Sequence, residues 1–440
     1  MLTNYGGRGN PRGHANGCQR TADGATIAAS MTARVSLPRR RSPRVLLTAG
    51  LLALLLLPLP LPRSTAIAPV TGPLSVAAAA PAGRDLLGGP QRWPRATASP
   101  TPRLRPGAEA PLAAADAAAF RAALDRVRPA FGVYGAQFAV SLDGSRSWSG
   151  ADGVQRDGRS PLTVATPQVI GSVTKTFTAA LVLELVDEGR LRLDDPLARY
   201  LPQSARIADG VSVRQLLNHS SGVADLYYPL QASLVAQPAR AWTPQEVLSR
   251  IGPAWFKPGS EWAYSNTNYV LLGLLIERIT GQPAGDALTS HLFAPLGLDQ
   301  TRLMVGADRP PGLLPASWAS VFWTAGGVRS TAADLARWGD ALYAGDLLTP
   351  AARRQMLSFN DHDYGLGARR LTLDGHPGYG HTGMLATYSA ILVRLPQQKI
   401  TMALIANRSE VDVAAMLTTR VGGQPSLLDL ALAAAARPSS

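Results

Sequence analysis

Apolar and polar positions along the chain fall into distinct textures, and each predicts an element. From Phe177 to Val186 almost every position is apolar, which predicts a helix buried on most sides, with Gly189 able to end it in the left-handed conformation. Ala113 to Val127 places Phe120, Leu124 and Val127 on one side and predicts an amphipathic helix. Tyr134 to Leu142 alternates as a strand does, Asp143-Gly144 predicts a hairpin turn, and Arg146 to Val154 is the expected partner strand. Between Leu191 and Phe359 the pattern is helix and loop with few strand signals, punctuated by Pro196, Pro202, Pro229, Pro258, Pro295 and the Pro310-Pro311 pair. Within it, Tyr269 to Thr280 reads as a helix closed by Gly281. Thr331 to Tyr343 reads as another, capped by Ser330 or Thr331. Strand texture returns in Tyr364-Gly-Leu-Gly, in Ala386 to Leu395 and in Lys399 to Ala406, with a turn at Pro396-Gln397-Gln398. Ser426 to Ala436 predicts a final helix. Strands at both ends with helices between them predict an α/β (α+β) fold, one sheet interrupted by a helical insertion.

Charge changes the picture only at the N-terminal end. The formal charge of +13 suggests nucleic acid or a membrane, yet residues 1–110 hold 14 arginines against 3 acidic residues. The other 330 hold 29 basic and 27 acidic residues and are nearly neutral, which argues against a nucleic-acid partner. The arginine excess surrounds Arg39 to Arg44, followed by the apolar run Val45 to Leu57 and stopped by Pro58 and Pro60. That run fits the apolar core of a signal peptide and is short for a membrane span. Small residues at 66–68 and 77–80 offer cleavage sites, and Met31 offers a second start. The expectation is an export signal over residues 1–80 and a secreted protein, with a membrane anchor as the alternative if the signal stays uncleaved. Cys18, the only cysteine, lies upstream, so the exported part would have no disulfide and no thiol nucleophile. Residues 81–111, with seven prolines, predict a disordered linker, and a single domain is expected over 112–440.

Three short stretches carry chemistry. Ser172 and Lys175, in Gly171-Ser-Val-Thr-Lys175, stand three apart at the start of the buried helix, so their side chains share a face about 5–6 Å apart at Cβ. Desolvation can lower a lysine pKa enough for it to take a serine proton, and N–H groups at a helix start suit an oxyanion. A capping serine beside a solvated lysine would read the same way in isolation. Tyr264-Ser265-Asn266 precedes the Tyr269–Thr280 helix, where a simple N-cap would explain it. His381-Thr382-Gly383 precedes a strand, where a turn would explain it. Their occurrence together in this order is what points to a site.

The three motifs resemble the serine β-lactamase/penicillin-binding-protein family, most closely its secreted D-alanyl-D-alanine carboxypeptidases. Leu216-Leu-Asn-His-Ser-Ser-Gly222, Pro258-Gly259, Asn266 to Gly273 and Ala325 to Thr331 extend the resemblance over about residues 112–410. It implies an antiparallel sheet of the five-stranded type, flanked by N- and C-terminal helices. The α/β part would cover about 112–190 and 362–440, with a helical insertion over about 191–361. It implies Ser172 as the acylated nucleophile and Lys175 as its proton partner, with Tyr264 the alternative general base. Asn266, His381, Thr382 and Gly383 would bind substrate, Thr382 taking a carboxylate, and the backbone N–H groups of Ser172 and Met384 would form the oxyanion hole. His381 stands where most β-lactamases have a lysine. As a cation it would help attract a carboxylate; as a neutral imidazole it would orient Tyr264 or the strand. No cofactor is implied, and the six histidines lack metal-ligand spacing. The implied function is an exported serine hydrolase, a D,D-carboxypeptidase on cell-wall peptides, with peptidoglycan as a partner. A carboxylesterase or β-lactamase acting on small esters or β-lactams, or a non-catalytic penicillin-binding sensor, are the alternatives.

Overall fold

The computed structural model describes residues 110–305 and 312–437. The expected export signal, and all of the expected linker before residue 110, lie outside them. No helix among the described residues is long and apolar enough to cross a membrane.

A seven-stranded sheet organises the fold. Its strands are β1 (Ala110–Pro111), β2 (Gly135–Leu142), β3 (Arg146–Gly153), β7 (Arg369–Leu373), β8 (His376–Leu385), β9 (Tyr388–Leu395) and β10 (Ile400–Ala406), in the order β1-β3-β2-β10-β9-β8-β7. All neighbours are antiparallel except β1 and β3. The expected five-stranded body is β3-β2-β10-β9-β8; β7 and the two-residue β1 extend its edges. β1 falls at the end of the segment expected to be a disordered linker, paired with Arg146 and Ser147. A smaller sheet, ordered β4-β6-β5, joins β4 (Gln168–Val169) to β5 (Arg302–Leu303) and β6 (Val328–Ser330).

Strand periodicity divides the interior into two cores. Phe138, Val140, Ile391, Val393, Met402 and Leu404 face one way, onto helix α1 (Ala114–Ala130) and the C-terminal helices. Ala139, Ala390, Leu392, Ala403 and Ile405 face the other, onto helix α2 (Thr174–Asp187) and the inserted helices. In α2 every residue from Thr174 to Leu185 is buried. Each of Phe177, Leu181 and Leu185 contributes roughly 1.5–3 kcal/mol by leaving water. Trp338 stacks on Phe177 with ring centroids 4.1 Å apart, and its Nε1 donates to Thr176 Oγ1 at 2.9 Å. The helix that follows the Ser172 turn is thereby fixed on all sides.

Two strand expectations are corrected. Tyr364-Gly-Leu-Gly is a loop with a single bridge, Tyr364 to Arg369, because Gly367 turns the chain at φ +77°, outside the extended region. Conversely, His381-Thr382-Gly383 lies inside strand β8 rather than before one. The insertion also holds the strands β5 and β6, which its helical texture concealed.

Candidate active site

Ser172 sits in the 3-10 turn Gly171–Val173 that leads into α2. Lys175 Nζ lies 3.0 Å from Ser172 Oγ, and the Tyr264 hydroxyl donates to the same oxygen at 2.9 Å. The first two motifs therefore meet at one atom. Lys175 is fully buried, and Nζ also donates to Asn266 Oδ1 at 2.8 Å and to the Ala325 carbonyl at 2.7 Å. Burial pushes the Lys175 pKa down from 10.5 to about 7, and Asp225 opposes part of that shift. Near neutral pH a large fraction of Lys175 is a free amine that can accept the serine proton while donating to Asn266 and Ala325. Burial raises the Tyr264 pKa, so its phenol stays protonated and acts as a donor. Of the two candidate bases, the geometry and the protonation states favour Lys175.

The stretches between the motifs hold this cluster in place. Helix α3 (Val213–Leu217) ends in the His219 turn, with His219 at φ +64°. His219 Nδ1 accepts from the Ser265 N–H at 3.1 Å and faces the Asn268 amide at 3.2 Å, while its ring lies 4.2 Å from that of Tyr264. Leu217 accepts from the Tyr269 hydroxyl at 2.8 Å. Helix α4 (Tyr227–Ala236) follows Asp225. Helix α5 (Asn266–Thr280) begins at Asn266 itself and ends at Gly281 with φ +71°. Helix α6 (Ala316–Gly326) breaks at Trp323, whose φ of +31° is a strained left-handed value for a tryptophan. Beyond that kink the Ala325 carbonyl meets Lys175.

The other wall of the cleft is strand β8, packed directly on the Ser172 turn. A Cβ on Gly383 would lie 2.0 Å from the Ile170 carbonyl oxygen and 3.0 Å from the Ser172 nitrogen. One on Gly171, at φ +51°, would lie 2.7 Å from the Met384 nitrogen. Only glycine at both positions lets the two backbones come this close, which sets the Ser172 turn directly against the Met384 backbone nitrogen. Thr382 is partly exposed at this edge, and the Met384 side chain is 53% exposed.

Of the two readings of His381, cation or neutral imidazole, its surroundings favour the neutral one. Its ring is buried, Nδ1 donates to the Thr382 carbonyl, and Nε2 accepts from the Tyr364 hydroxyl at 3.0 Å. Burial, with a further contribution from the Lys175 charge, pushes its pKa down to about 3, so the imidazole is neutral and both its nitrogens are occupied. The neutral reading stands, with Tyr364 rather than Tyr264 as the partner.

Sequence reasoning missed three contributors. Asp225, 5% exposed, accepts from both the backbone N–H and Nδ2 of Asn266. Tyr364 anchors His381. Arg369 on β7 pairs with Gly380, two residues before Thr382 on the same side of the ladder, and its charge acts on His219, Tyr264, Tyr364 and His381. Among the described residues one group has metal-ligand proximity, Glu184, Glu188 and His291. Glu188 pairs with Arg190 and Glu184 meets His291, about 18 Å along α2 from Ser172, so the group takes no part in this site.

The β-lactamase family model matches residues 117–422. Penicillin-binding protein 4 of Amycolatopsis lactamdurans is 31% identical over 66% of this chain and 85% of its own length. A D-aminopeptidase of Brucella anthropi is 33% identical over 41% of this chain, which spans about a third (36%) of that longer protein. Among solved structures, a D-stereospecific amidohydrolase from Streptomyces sp. superimposes with a TM-score of 0.58, at 29% identity, over 67% of this chain and 95% of that one. The match covers most of the chain and includes all three motif stretches, and so the chain belongs to the serine β-lactamase and penicillin-binding-protein family and is a serine hydrolase of that family.

Proposed function

We propose that the protein cleaves short D-configured peptides with a free C-terminal carboxylate, a D,D-carboxypeptidase working through an acyl-enzyme on Ser172. The observation that carries the chemistry is the convergence of Lys175 Nζ and the Tyr264 hydroxyl on Ser172 Oγ. Ser172 Oγ bonds to the scissile carbonyl carbon, its proton passes to the neutral Lys175 amine, and the oxyanion forms between the Ser172 and Met384 N–H groups. The C–N bond then breaks as Tyr264 protonates the departing nitrogen and takes a proton back from Lys175. Water cleaves the ester by the reverse route and restores the serine hydroxyl.

Arg369, paired with Gly380 two residues before Thr382 on β8, supports the free-carboxylate specificity as the nearby positive charge that His381 cannot supply. A second reading, a D-stereospecific amidase, is favoured by the similarity to the Streptomyces D-stereospecific amidohydrolase. The two are separated by comparing kcat/KM for a peptide ending in D-Ala-D-Ala, for its C-terminal amide, and for D-phenylalanine amide. Preference for the free acid, lost in Arg369→Gln, supports the carboxypeptidase; preference for the amides overturns it. We further propose export by residues 1–80, with cell-wall peptides as the substrate. N-terminal sequencing of protein recovered from culture medium tests this, and retention of residues 1–80 on cell-associated protein contradicts it.

A further inference from the structure

The reaction just proposed leaves the buried carboxylate of Asp225 without a task. Its surroundings are specific. Ser265 occupies the N-cap position of α5, yet its hydroxyl makes no capping bond and has no partner among the described residues. Asp225, reaching across from another segment, supplies what Ser265 does not. One of its oxygens accepts from the Asn266 N–H at 2.5 Å and from Asn266 Nδ2 at 2.9 Å; the other accepts from the Tyr227 N–H at 2.7 Å. All three partners are donors and none accepts a proton from it, so these bonds favour the carboxylate and oppose the rise in pKa that burial causes. An anion at a helix N-terminus is also favourably placed against the helix dipole.

The same contacts fix the orientation of the Asn266 amide. With Nδ2 held by Asp225, Oδ1 must face Lys175, where it lies 2.8 Å from Nζ. A flipped amide would set its oxygen against the carboxylate and its NH2 against the lysine. We propose that Asp225 is a positioning residue of the site: it caps α5 in place of Ser265 and locks Asn266 so that the Asn266 carbonyl aims Lys175 at Ser172. This rests on Lys175 being the proton acceptor proposed above.

A charge-based consequence follows. The groups around Lys175 are Ser172 on its own segment, Tyr264, Asn266 and Tyr269 at the start of α5, His219 after α3, His381 on β8 and the Ala325 carbonyl of α6. The two imidazoles and two phenols are held neutral, and the field of Arg369 on β7 falls on His219 and His381. Asp225 is the anion in this set, and removing it makes the ammonium form of Lys175 less favourable.

Because the chain has only three lysines (Lys175, Lys257 and Lys399), their Cε signals can be followed one by one by NMR after 13C-lysine labelling, with Lys175→Arg giving the assignment. In Asp225→Asn the Lys175 titration moves to lower pH, by about half a unit to one unit. The plateau rate of single-turnover acylation by a nitrophenyl ester falls roughly 10–100-fold, as for other supporting partners. Asp225→Asn should add nothing further in an Asn266→Ala background, because the two act as one unit. If Asp225→Asn does not fold, Asp225→Ser keeps an acceptor for the Asn266 N–H without the charge, and the same titration shift is expected. An unmoved Lys175 titration in a folded variant, or losses that multiply with Asn266→Ala, overturns the proposal. The NMR readout needs no turnover, so a wild type that never acylates Ser172 would sink the reaction proposed above while leaving the Asp225 titration shift to be judged on its own.

Discussion

On the helical wall of the cleft the acting groups are side chains taken out of water: Lys175, Tyr264, Asn266 and, behind them, Asp225. On the strand wall they are backbone: the Met384 N–H, the face of Gly383 and the Thr382 carbonyl that holds His381. The difference shows how each wall sets its chemistry. The helical wall tunes protonation by burial, so its residues are identified by their partners. The strand wall tunes distance, so it is identified by what is lacking, a side chain at Gly383 and at Gly171, which faces it from the Ser172 turn. Substitutions that alter charge should therefore act through the first wall, and substitutions that add volume through the second.

The largest expected effect is on the helical wall. Lys175→Met removes the proton acceptor while filling much of its space, and acylation should fall by about 10²–10⁴-fold, measured by stopped-flow with a nitrophenyl ester. Retention of near-normal rates would leave the serine to be activated from elsewhere. Next is Gly383→Ala on the strand wall. Its methyl group would overlap the Ile170 carbonyl and push β8 off the Ser172 turn, with an expected loss of about 10²–10³ in kcat, the size associated with one missing oxyanion donor. A crystal structure of the variant with β8 unmoved and activity intact would break the comparison.

The pH profile sharpens it. Lys175 is active as the neutral amine, and its pKa is lowered from 10.5 to about 7. Acylation should hold a plateau above pH 7 and fall about tenfold per unit below it. Because His381 is pushed down to about 3, no second limb from an imidazole is expected between pH 5.5 and 8.5. Free and amidated forms of one peptide should then give parallel curves, and divergence with pH would restore a charged His381. The smallest effect is that of Arg369→Gln, expected to raise KM for the free-acid peptide by roughly tenfold, the loss of a single charge-assisted contact, with the amide unchanged.

What was legible in the sequence was local. Ser172 and Lys175 are three residues apart, and Tyr264 and Asn266 two, so a motif contains them. Asp225 lies 41 residues from Asn266 and Ala325 lies 150 from Lys175, so no pattern along the chain could join them. β8 was hidden by its own function: Pro377, Gly378, Gly380 and Gly383 are poor strand residues. Yet a Cβ on Gly380 would lie 1.9 Å from the Leu392 carbonyl, so the close packing that makes the site demands what propensity disfavours. The charge on His381 stayed open along the chain because burial, which decides it, is a property of the fold. The strands in Tyr134–Leu142 and Lys399–Ala406 were readable because their apolar positions serve packing on the sheet's two faces.

Whether Ser172 is acylated decides the account. Purified protein incubated with a penicillin, quenched and digested, should show by mass spectrometry one adduct, on the peptide containing Ser172. The adduct should be absent from Ser172→Ala, whose thermal unfolding should match the wild type. An adduct on another residue, or none in folded wild-type protein at saturating penicillin, would contradict it.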